Sequence, residues 1–460
     1  MEKTKTIRIA GGKLVVGQTV QTGDILVLDE KIAAIGDLRD IKADMTMDAA
    51  GLVVLPGAVD PHVHFNDAFM NSVSIHDCET GTRAAAFGGV TTVIDFSNQT
   101  HGESLMQCLE DKKAEASGRA LVDWGVHTAI TDPTPQTMAE IPQVIAAGAP
   151  TFKCYMTYRE DGLLIEIPDL ERILGVLRDS GGMLMVHAED NDMIEANVPR
   201  LLSEGKTDAF YHAVSKPPEV EEKAIRDCID MVSRIGGRLF VVHLASNRGM
   251  EMIGQARIDG LDVHAETCIH YLILTEEQMK RPDGIKWICS PPLRNGEIQA
   301  ELWRGIQNDL IKLVSTDDAA FSWEAKQHGT ERFDQCPNGI PGIEVRLPLL
   351  HSEGVLKNRL TWPRLAELVA TAPAQMFGLW PRKGSLLPGA DADIVLFDPT
   401  VTWIMSTDTL HMGADWCAYE GLSVQGRIAK VFSRGELIID GEDCLAEKGR
   451  GRYLHRVLSD

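Results

Sequence analysis

Apolar and polar positions follow two patterns along this chain. The middle of the chain shows the pattern with the longer repeat, in which strands alternate with helices. Between residues 53 and 370, short apolar runs are each followed by a polar or glycine-rich turn and a stretch with helical periodicity. Eight strands that alternate with helices are typical of a TIM-like (β/α)8 barrel, which carries functional residues at the carboxyl ends of its strands. The predicted strands are Val53–Val59, Thr91–Phe96, Val122–His127, Pro150–Tyr155, Met183–His187, Leu239–Leu244, Leu261–Thr267 and Lys312–Thr316.

Both ends of the chain show the pattern with the shorter repeat, in which apolar and polar residues alternate between glycine and aspartate turns. This pattern predicts β-hairpins, here Thr6–Val16, Asp24–Leu28, Lys31–Ile35, Ala392–Phe397, Arg427–Ser433 and Glu436–Ile439. We expect one small β-sandwich built from both termini, with the barrel inserted between them. The predicted division is residues 1–54 for the first part of the sandwich, 55–383 for the barrel, and 384–460 for the second part and a tail.

Composition narrows the class of protein. The net charge of −22 disfavours nucleic acid and anionic membranes as partners. No run approaches the roughly 18 apolar residues of a membrane span, and Met1–Gly11 lacks the apolar segment of a secretory signal. The 9 cysteines form no C-x-x-C pair, which is typical of reduced thiols. We therefore predict a cytoplasmic protein.

The first predicted strand ends in a candidate metal site. His62 and His64 are two positions apart, so both side chains point to the same face of a strand and suit a shared metal ion. A His-x-His pair taken alone is more often an ordinary pair of hydrogen-bonding histidines. Its position at a barrel strand end favours the metal interpretation.

Residues of ligand type also stand at four other strand ends, namely Lys153, His187, His243 and Asp317. A single strand-end histidine is usually a hydrogen-bonding residue, and a strand lysine is usually half of an ion pair. Together at one end of a barrel, they favour a metal centre. A buried lysine has a lowered pKa, and its amine can add carbon dioxide to give a carbamate whose oxygens bridge two metals.

This set, in this order, resembles the binuclear-metal branch of the amidohydrolase superfamily. Longer phrases resemble dihydropyrimidinases and hydantoinases, and the likeness covers nearly the whole chain. These phrases are Gly81–Gly89, Phe152–Tyr158, Cys289–Arg294, Pro337–Glu344 and Gly384–Pro399.

The resemblance implies two divalent metal ions. One is surrounded by His62, His64, Lys153 and Asp317, and the other is held by Lys153, His187 and His243. Lys153 is implied to carry carbon dioxide as N6-carboxylysine. Zinc is the expected metal for these donors, although manganese or cobalt fits them as well.

Three further residues are implied to bind the substrate. Tyr158 is expected to hydrogen-bond the substrate carbonyl and its oxyanion, whereas Ser290 and Asn338 align the cyclic amide, largely through main-chain groups. Without the metal set, the same residues would be interpreted as a core aromatic, a rigid strand end and an exposed turn.

The implied activity is hydrolysis of a cyclic amide, in which a dihydropyrimidine or hydantoin ring opens to an N-carbamoyl amino acid. A metal-bridging hydroxide attacks, and Asp317 serves first as general base and then as general acid. The substrate is a small molecule, and the protein is expected to be a homo-oligomer, either a dimer or a tetramer.

Other activities fit the same fold. An allantoinase-like cyclic ureide hydrolase is the in-class alternative, because His64-Phe65-Asn66 is similar to the allantoinase pattern. Dihydroorotases place an arginine after His-x-His, and this chain does not. A remote alternative is a non-catalytic assembly protein of the same fold, but such proteins lack parts of the ligand set.

Asp318 departs from the hydantoinase pattern, in which a histidine commonly follows the catalytic aspartate. One interpretation places its carboxylate behind a metal-bound histidine, and the other makes it the N-cap of a helix. The loops 65–74 and 158–163 are expected to shape the pocket that receives the substrate's exocyclic group, with apolar lining from Phe65, Phe69, Met70 and Tyr155.

The remaining histidines are given lesser roles. His127 and His264 are expected to pack behind the site, and His76, His101 and His212 to lie at the surface or in loops.

Overall fold

The computed structural model describes residues 5–459. Its strands are β1 Thr6–Val16, β2 Thr19–Leu28, β3 Lys31–Gly36, β4 Met45–Asp48, β5 Val53–Pro56, β6 Ala58–Val63, β7 Ala68–Phe69, β8 Ser72–Val73, β9 Val90–Asn98, β10 Asp123–Ala129, β11 Thr151–Tyr155, β12 Met183–His187, β13 Arg238–Val241, β14 Val263–Cys268, β15 Leu313–Ser315, β16 Ile394–Ile404, β17 Ser423–Ser433, β18 Glu436–Asp440 and β19 Asp443–Cys444.

Its α-helices are α1 Cys78–Phe87, α2 Leu105–Ala116, α3 Pro135–Ala146, α4 Ile167–Ser180, α5 Asn191–Ser203, α6 Phe210–Ser215, α7 Pro218–Ile235, α8 Asn247–Ile258, α9 Ile269–Ile273, α10 Gly296–Gln307, α11 Trp323–Lys326, α12 Arg346–Leu349, α13 Trp362–Ala366 and α14 Ala372–Met376. Across residues 5–459, no helix is both long enough and apolar enough to cross a bilayer.

An 8-stranded sheet forms the barrel, in the order β6-β9-β10-β11-β12-β13-β14-β15. All its neighbouring strands are parallel, as helical crossovers require. The first and last strands meet where Val63 and Asp318 form a parallel bridge and the His64 amide donates to the Asp318 carbonyl at 2.9 Å. The predicted barrel is therefore confirmed.

A separate 9-stranded sheet combines both ends of the chain. Its order is β3-β2-β1-β5-β16-β17-β18-β19, with β4 added beside β1. The antiparallel pair of β5 and β16 joins the amino-terminal strands to the carboxyl-terminal strands, as the hairpin patterns predicted. Apolar residues of both ends share its core, among them Ile9, Ile25, Val54 and Leu396.

The predicted strand Val53–Val59 is wrong as a single element, because β5 belongs to the terminal sheet and β6 to the barrel. Gly57 lies between them. A Cβ there would stand 2.2 Å from Thr91 Oγ1 and 2.8 Å from Asp393 Cβ, so the close passage between sheets requires glycine. The domain division at 54/55, which cuts through β5, and at 383/384 stays a prediction.

The interior of the barrel is packed with side chains at its amino-terminal end. Phe377, just after α14, makes edge-on ring contacts with Phe240 and His127. The tail covers the same end: the Trp124 amide donates to Arg452, and the Leu454 amide donates to Trp124. Arg456 is fully buried there and donates to Thr151 Oγ1 at 2.8 Å. Space for a ligand is therefore left at the carboxyl ends of the strands.

Candidate active site

The carboxyl ends of the barrel strands surround a cavity of about 70 Å³, which we call the strand-end pocket. The structure brings nearly all the predicted site residues to it, and His62 lies directly behind it against Asp317. Its lining residues are His64, Asp67, Phe69, Ser74, Lys153, Tyr155, Tyr158, His187, His243, Ser290, Asp317, Ala319, Phe321, Asn338 and Gly339.

His62, His64 and Asp317 present a set of atoms that fits a metal ion. Asp317 Oδ1 lies 3.0 Å from His62 Nε2 and 3.2 Å from His64 Nε2, and one ligand atom from each residue lies within 4.8 Å of the others. Two imidazole nitrogens and a carboxylate oxygen are common ligands of zinc and similar divalent ions. The arrangement therefore forms a candidate metal site.

Two carboxylates fix the orientation of these histidines. Glu266 Oε1 accepts from His62 Nδ1 at 2.5 Å, and Asp67 Oδ2 lies 2.8 Å from His64 Nδ1. In a neutral imidazole, a carboxylate on Nδ1 selects the tautomer whose Nε2 has a free lone pair. Sequence reasoning missed Glu266 and Asp67, although Glu266 stands near the end of β14 and Asp67 is three residues after His64.

The electrostatics of the site favour positive charge beside Asp317. Burial alone would lower the pKa of His64, but the bonds to Asp317 and Asp67 outweigh burial and raise it to about 9. Burial likewise disfavours the Asp317 carboxylate, yet the neighbouring histidines keep its pKa well below its usual range. Asp317 is therefore ionised at neutral pH.

Lys153 is completely enclosed, with 1% of its surface exposed. Burial lowers its pKa to about 8, although Asp317 and Glu266 oppose this effect. Its Nζ lies 5.2 Å from the Phe96 ring centroid and 5.1 Å from that of Tyr155. A larger fraction of this amine is neutral near pH 7 than in an ordinary lysine.

His187 and His243 face each other across the other side of the pocket, with ring centroids 4.5 Å apart. Glu189 Oε2 lies 2.8 Å from His187 Nε2, which leaves His187 Nδ1 for a ligand. Within residues 5–459, His243 Nδ1 is buried without a hydrogen-bond partner. Both histidines have a lowered pKa, chiefly through burial, and are therefore neutral and able to bind a cation.

Glu189 also connects this side to the substrate residues. Its Oε2 accepts from Ser290 Oγ at 2.8 Å and from Lys216 Nζ at 3.2 Å, and Lys216 also bonds Ser290. A buried carboxylate needs such partners to remain charged. Neither Glu189 nor Lys216 was singled out from the sequence.

Tyr158 stands over the pocket entrance. Its ring makes edge contacts with His187 and Phe69, and its hydroxyl accepts from Asn338 Nδ2 at 3.4 Å. Burial raises the pKa of the phenol well above its usual range, so it keeps its proton and remains a donor. Ser290, Asn338 and Tyr158 thus lie together as the resemblance implied.

Three residues at the pocket adopt left-handed backbone conformations that non-glycine residues rarely take: Tyr158 at φ 66°, His243 at φ 38° and Asp317 at φ 49°. Such conformations persist only where the surroundings impose them, and they cluster at functional sites. They aim side chains in directions that a regular strand end does not provide.

One prediction about the apolar lining is wrong. Phe65 is buried behind the pocket, where its ring packs against Gly81 and His76. Met70 lies farther out, on a groove of about 920 Å³ that shares Tyr158 and Asn338 with the pocket. Phe69 and Tyr155 line the pocket as expected.

Two of the lesser histidines differ from expectation. His76 lies in a loop, as predicted, although it is buried. His212 lies in α6 and is buried, and its Nε2 donates to the Cys289 carbonyl. His264 pairs with Asp262 near the start of β14, at the end of the barrel opposite the pocket. His101 is exposed, as predicted, and His127 is buried and bonds Thr151.

Asp318 matches neither of its two predicted environments. Helix α11 is capped by Ser322, and the histidine that bonds Asp318 is His76, at 2.7 Å, which is outside the implied ligand set. Its other oxygen accepts from the amides of Gly342 and Ile343.

Comparison with known proteins defines the class to which this barrel and pocket belong. The model of the Amidohydrolase family matches residues 53–438. The chain belongs to the amidohydrolase family.

Similar proteins of this family include hydantoinases and dihydropyrimidinases. D-hydantoinase of Geobacillus stearothermophilus is 38% identical over 453 residues, which cover 98% of this chain and 96% of that protein. D-phenylhydantoinase of Escherichia coli K12 is 38% identical over 413 residues and 89% of each chain. The crystal structure of dihydropyrimidinase from Brevibacillus agri NCHU1002 matches with a TM-score of 0.96 at 35% identity and covers 99% of this chain and 100% of that one. The resemblance found in the sequence is confirmed.

Proposed function

We propose that this protein hydrolyses a cyclic amide, opening a dihydropyrimidine or hydantoin ring to an N-carbamoyl amino acid. The observation that carries the proposal is the strand-end pocket itself. It joins a ligand set around Asp317 to three polar residues, Tyr158, Ser290 and Asn338, that suit the edge of a cyclic amide. The names of the similar proteins support the same reaction.

The donor set fits two divalent ions. We propose that one would be held by His62, His64, Lys153 and Asp317, and the other by Lys153, His187 and His243. The support is the proximity of His62, His64 and Asp317, the neutral imidazoles of His187 and His243, and the lowered pKa of Lys153, which favours its carboxylation. Bound ions, of which zinc is expected, supply a water of lowered pKa and polarise the amide carbonyl.

The chain's own residues supply the rest of the chemistry. Asp317, ionised and beside the reaction centre, takes the proton of the attacking water and delivers it to the ring nitrogen as the carbon–nitrogen bond breaks. Tyr158 keeps its proton and donates a hydrogen bond to the oxyanion. Ser290 and Asn338 hold the amide edge in register with these two groups.

The adjoining groove bears on the choice of substrate. It has a volume of about 920 Å³ and begins at Tyr158 and Asn338, so a substituent on the ring can extend into it. This favours ring-substituted hydantoins as substrates. Allantoin, a hydantoin that carries a ureido group, belongs to the same class, and the allantoinase-like activity is the second candidate. The complete ligand set disfavours the non-catalytic assembly role.

The deciding experiment assays the metal-loaded protein against hydantoin, 5-phenylhydantoin, dihydrouracil, allantoin and dihydroorotate, with metal content measured in the same samples. We expect turnover of the first three rings and about two bound ions per chain. Turnover of allantoin alone would select the second candidate. Absence of turnover from a fully metal-loaded protein would contradict both activities.

Two further parts of the proposal concern the whole protein. We infer a homo-oligomer, dimer or tetramer, and a cytoplasmic location, on the charge and cysteine content of the sequence and on the resemblance. Sedimentation equilibrium tests the first, and fractionation of the source cells tests the second.

A further inference from the structure

The segment 65–76, which we call the pocket loop, follows the metal-site residue His64 and is closed upon itself. The Asn66 amide donates to the His76 carbonyl at 2.6 Å, and the Ser74 amide donates to the Asp67 carbonyl at 2.8 Å. The loop carries Asp67, which orients His64, and Phe69, which lines the pocket and contacts the ring of Tyr158. Its position therefore affects both the ligand set and one wall of the pocket.

The base of the pocket loop is tied to the strand end beyond β15. His76 Nδ1 lies 2.7 Å from Asp318 Oδ2, and the Ile75 amide donates to the Ala320 carbonyl at 2.8 Å. Neither His76 nor Asp318 is exposed. Hydrogen bonds to a charged group are strong when water is excluded, so this pair fixes the loop firmly.

The second oxygen of Asp318 holds the opposite wall. Its Oδ1 accepts from the amides of Gly342 and Ile343 at 2.7 and 3.1 Å, and Asp318 also forms a bridge with Ile340. This segment leads directly from Asn338 and Gly339, which line the pocket. One carboxylate, next to Asp317 in the chain, thus contacts both walls.

We propose that His76 and Asp318 are positioning residues that clamp the two walls of the strand-end pocket to the strand end carrying Asp317. The clamp sets the width of the pocket and keeps Asp67 behind His64. This proposal rests on the proposed function, because it takes the strand-end pocket as the place where the substrate binds. Neither residue contacts the substrate.

The chemistry of the pair determines which variants keep the clamp. The carboxylate accepts the Nδ1 proton of His76 and two amide protons. A neutral imidazole at position 318 has one accepting nitrogen, which suits one of the two amides, and one N–H, which suits a carboxylate at position 76. The exchanged pair, His76→Asp with Asp318→His, therefore restores the link between the two positions and one of the two amide bonds. Asp318→Ala removes all of them.

The experiment compares Asp318→Ala, the two single changes and the exchanged pair on hydantoin and 5-phenylhydantoin. We expect the single variants to lose about 10–100-fold in kcat/KM, with a greater rise in KM for the phenyl substrate, because Phe69 moves away from its place. The exchanged pair should recover most of the loss. His351→Asn is the matched control, since it removes a buried histidine whose Nδ1 donates over the same 2.7 Å to the Gln425 carbonyl, away from the pocket.

A second measurement follows amide hydrogen exchange in residues 66–75 and 342–343 and needs no substrate. The single variants should exchange faster in both segments, and the exchanged pair should exchange slowly again. If the unmodified protein lacks turnover but the variants show the expected changes in amide hydrogen exchange, the proposed function is wrong and the clamp is supported. If the single variants keep their KM values and slow exchange, or if the exchanged pair recovers neither, the clamp is wrong.

Discussion

Two buried lysines, one at each end of the barrel, have opposite surroundings. Lys383, at the amino-terminal end, lies 2.6 Å from Asp123, 2.7 Å from Asp393 and 3.0 Å from Asp391. Lys153, at the carboxyl end, has no carboxylate within ion-pair distance among the described residues, and burial lowers its pKa to about 8. Burial is the same, so the difference lies in the partners. An enclosed cation surrounded by carboxylates stabilises a fold, whereas an enclosed amine without them is available for chemistry.

Replacing each lysine in turn tests whether the two ends of the barrel have these different roles. Lys153→Ala should abolish turnover and lower bound metal together, because the proposed bridging group is lost, and acetate or propionate should restore part of both. Turnover and metal analysis of the same preparation measure this. Two tightly bound ions in Lys153→Ala would contradict the bridging role.

Lys383→Ala is the matched variant at the other end. It leaves three buried carboxylates without their shared cation and should cost about 3–5 kcal/mol of the free energy of unfolding, with the metal content of the folded protein unchanged. Urea denaturation measures the first effect. Loss of metal from the folded protein would show that the two ends are not independent.

Tyr158→Phe tests whether the carboxyl end acts on the transition state. The phenol meets the oxyanion only as charge develops, so kcat should fall about 10²–10³-fold with a smaller change in KM. Steady-state kinetics on hydantoin separate the two constants. An unchanged kcat with a raised KM would mean that Tyr158 only holds the substrate.

Glu266→Gln tests the support behind the ligand set. The neutral amide is a weaker acceptor for His62 Nδ1, and we expect a loss of about 10–100-fold in metal affinity. Competition with a chromophoric chelator measures this. Unchanged affinity would assign Glu266 to packing alone.

The smallest effect is expected at His411. This histidine has carboxylate partners, as Lys383 does, but it lies apart from both lysines. Despite burial, Glu344 and Glu442 raise its pKa above 6.5, so its stabilisation is complete below that value and is lost as the pH rises through the folded pKa. His411→Gln should therefore lower Tm by a few degrees at pH 6 and by less at pH 9. A pH-independent difference would indicate packing against Phe87 alone.

The sequence predicted the barrel and the strand-end residues because both depend on local patterns. A run of apolar residues predicts a strand. The end of that run then indicates which residue stands at the end of the strand. The supporting carboxylates could not be found in this way, since Glu266 reaches His62 across 204 positions and Asp318 reaches His76 across 242. A contact between strands distant in the chain leaves no periodic signal.

The sequence also showed no sign of where the backbone changes direction. A continuous apolar run crosses Gly57 without marking the change of sheet, and only the packing against Thr91 and Asp393 shows why the run divides. The left-handed conformations of His243 and Asp317 are imposed by surrounding structure, because neither residue requires them by itself.

The tail across the amino-terminal end of the barrel has a consequence for synthesis on the ribosome. Arg456 bonds the carbonyl of Val126 across 330 positions and the hydroxyl of Thr151 across 305. These bonds form only after residues 452–456 have been synthesised and have left the ribosome. Until then the ends of β10 and β11 stay uncovered, and apolar surface and strand ends that are transiently exposed during folding are prone to aggregation.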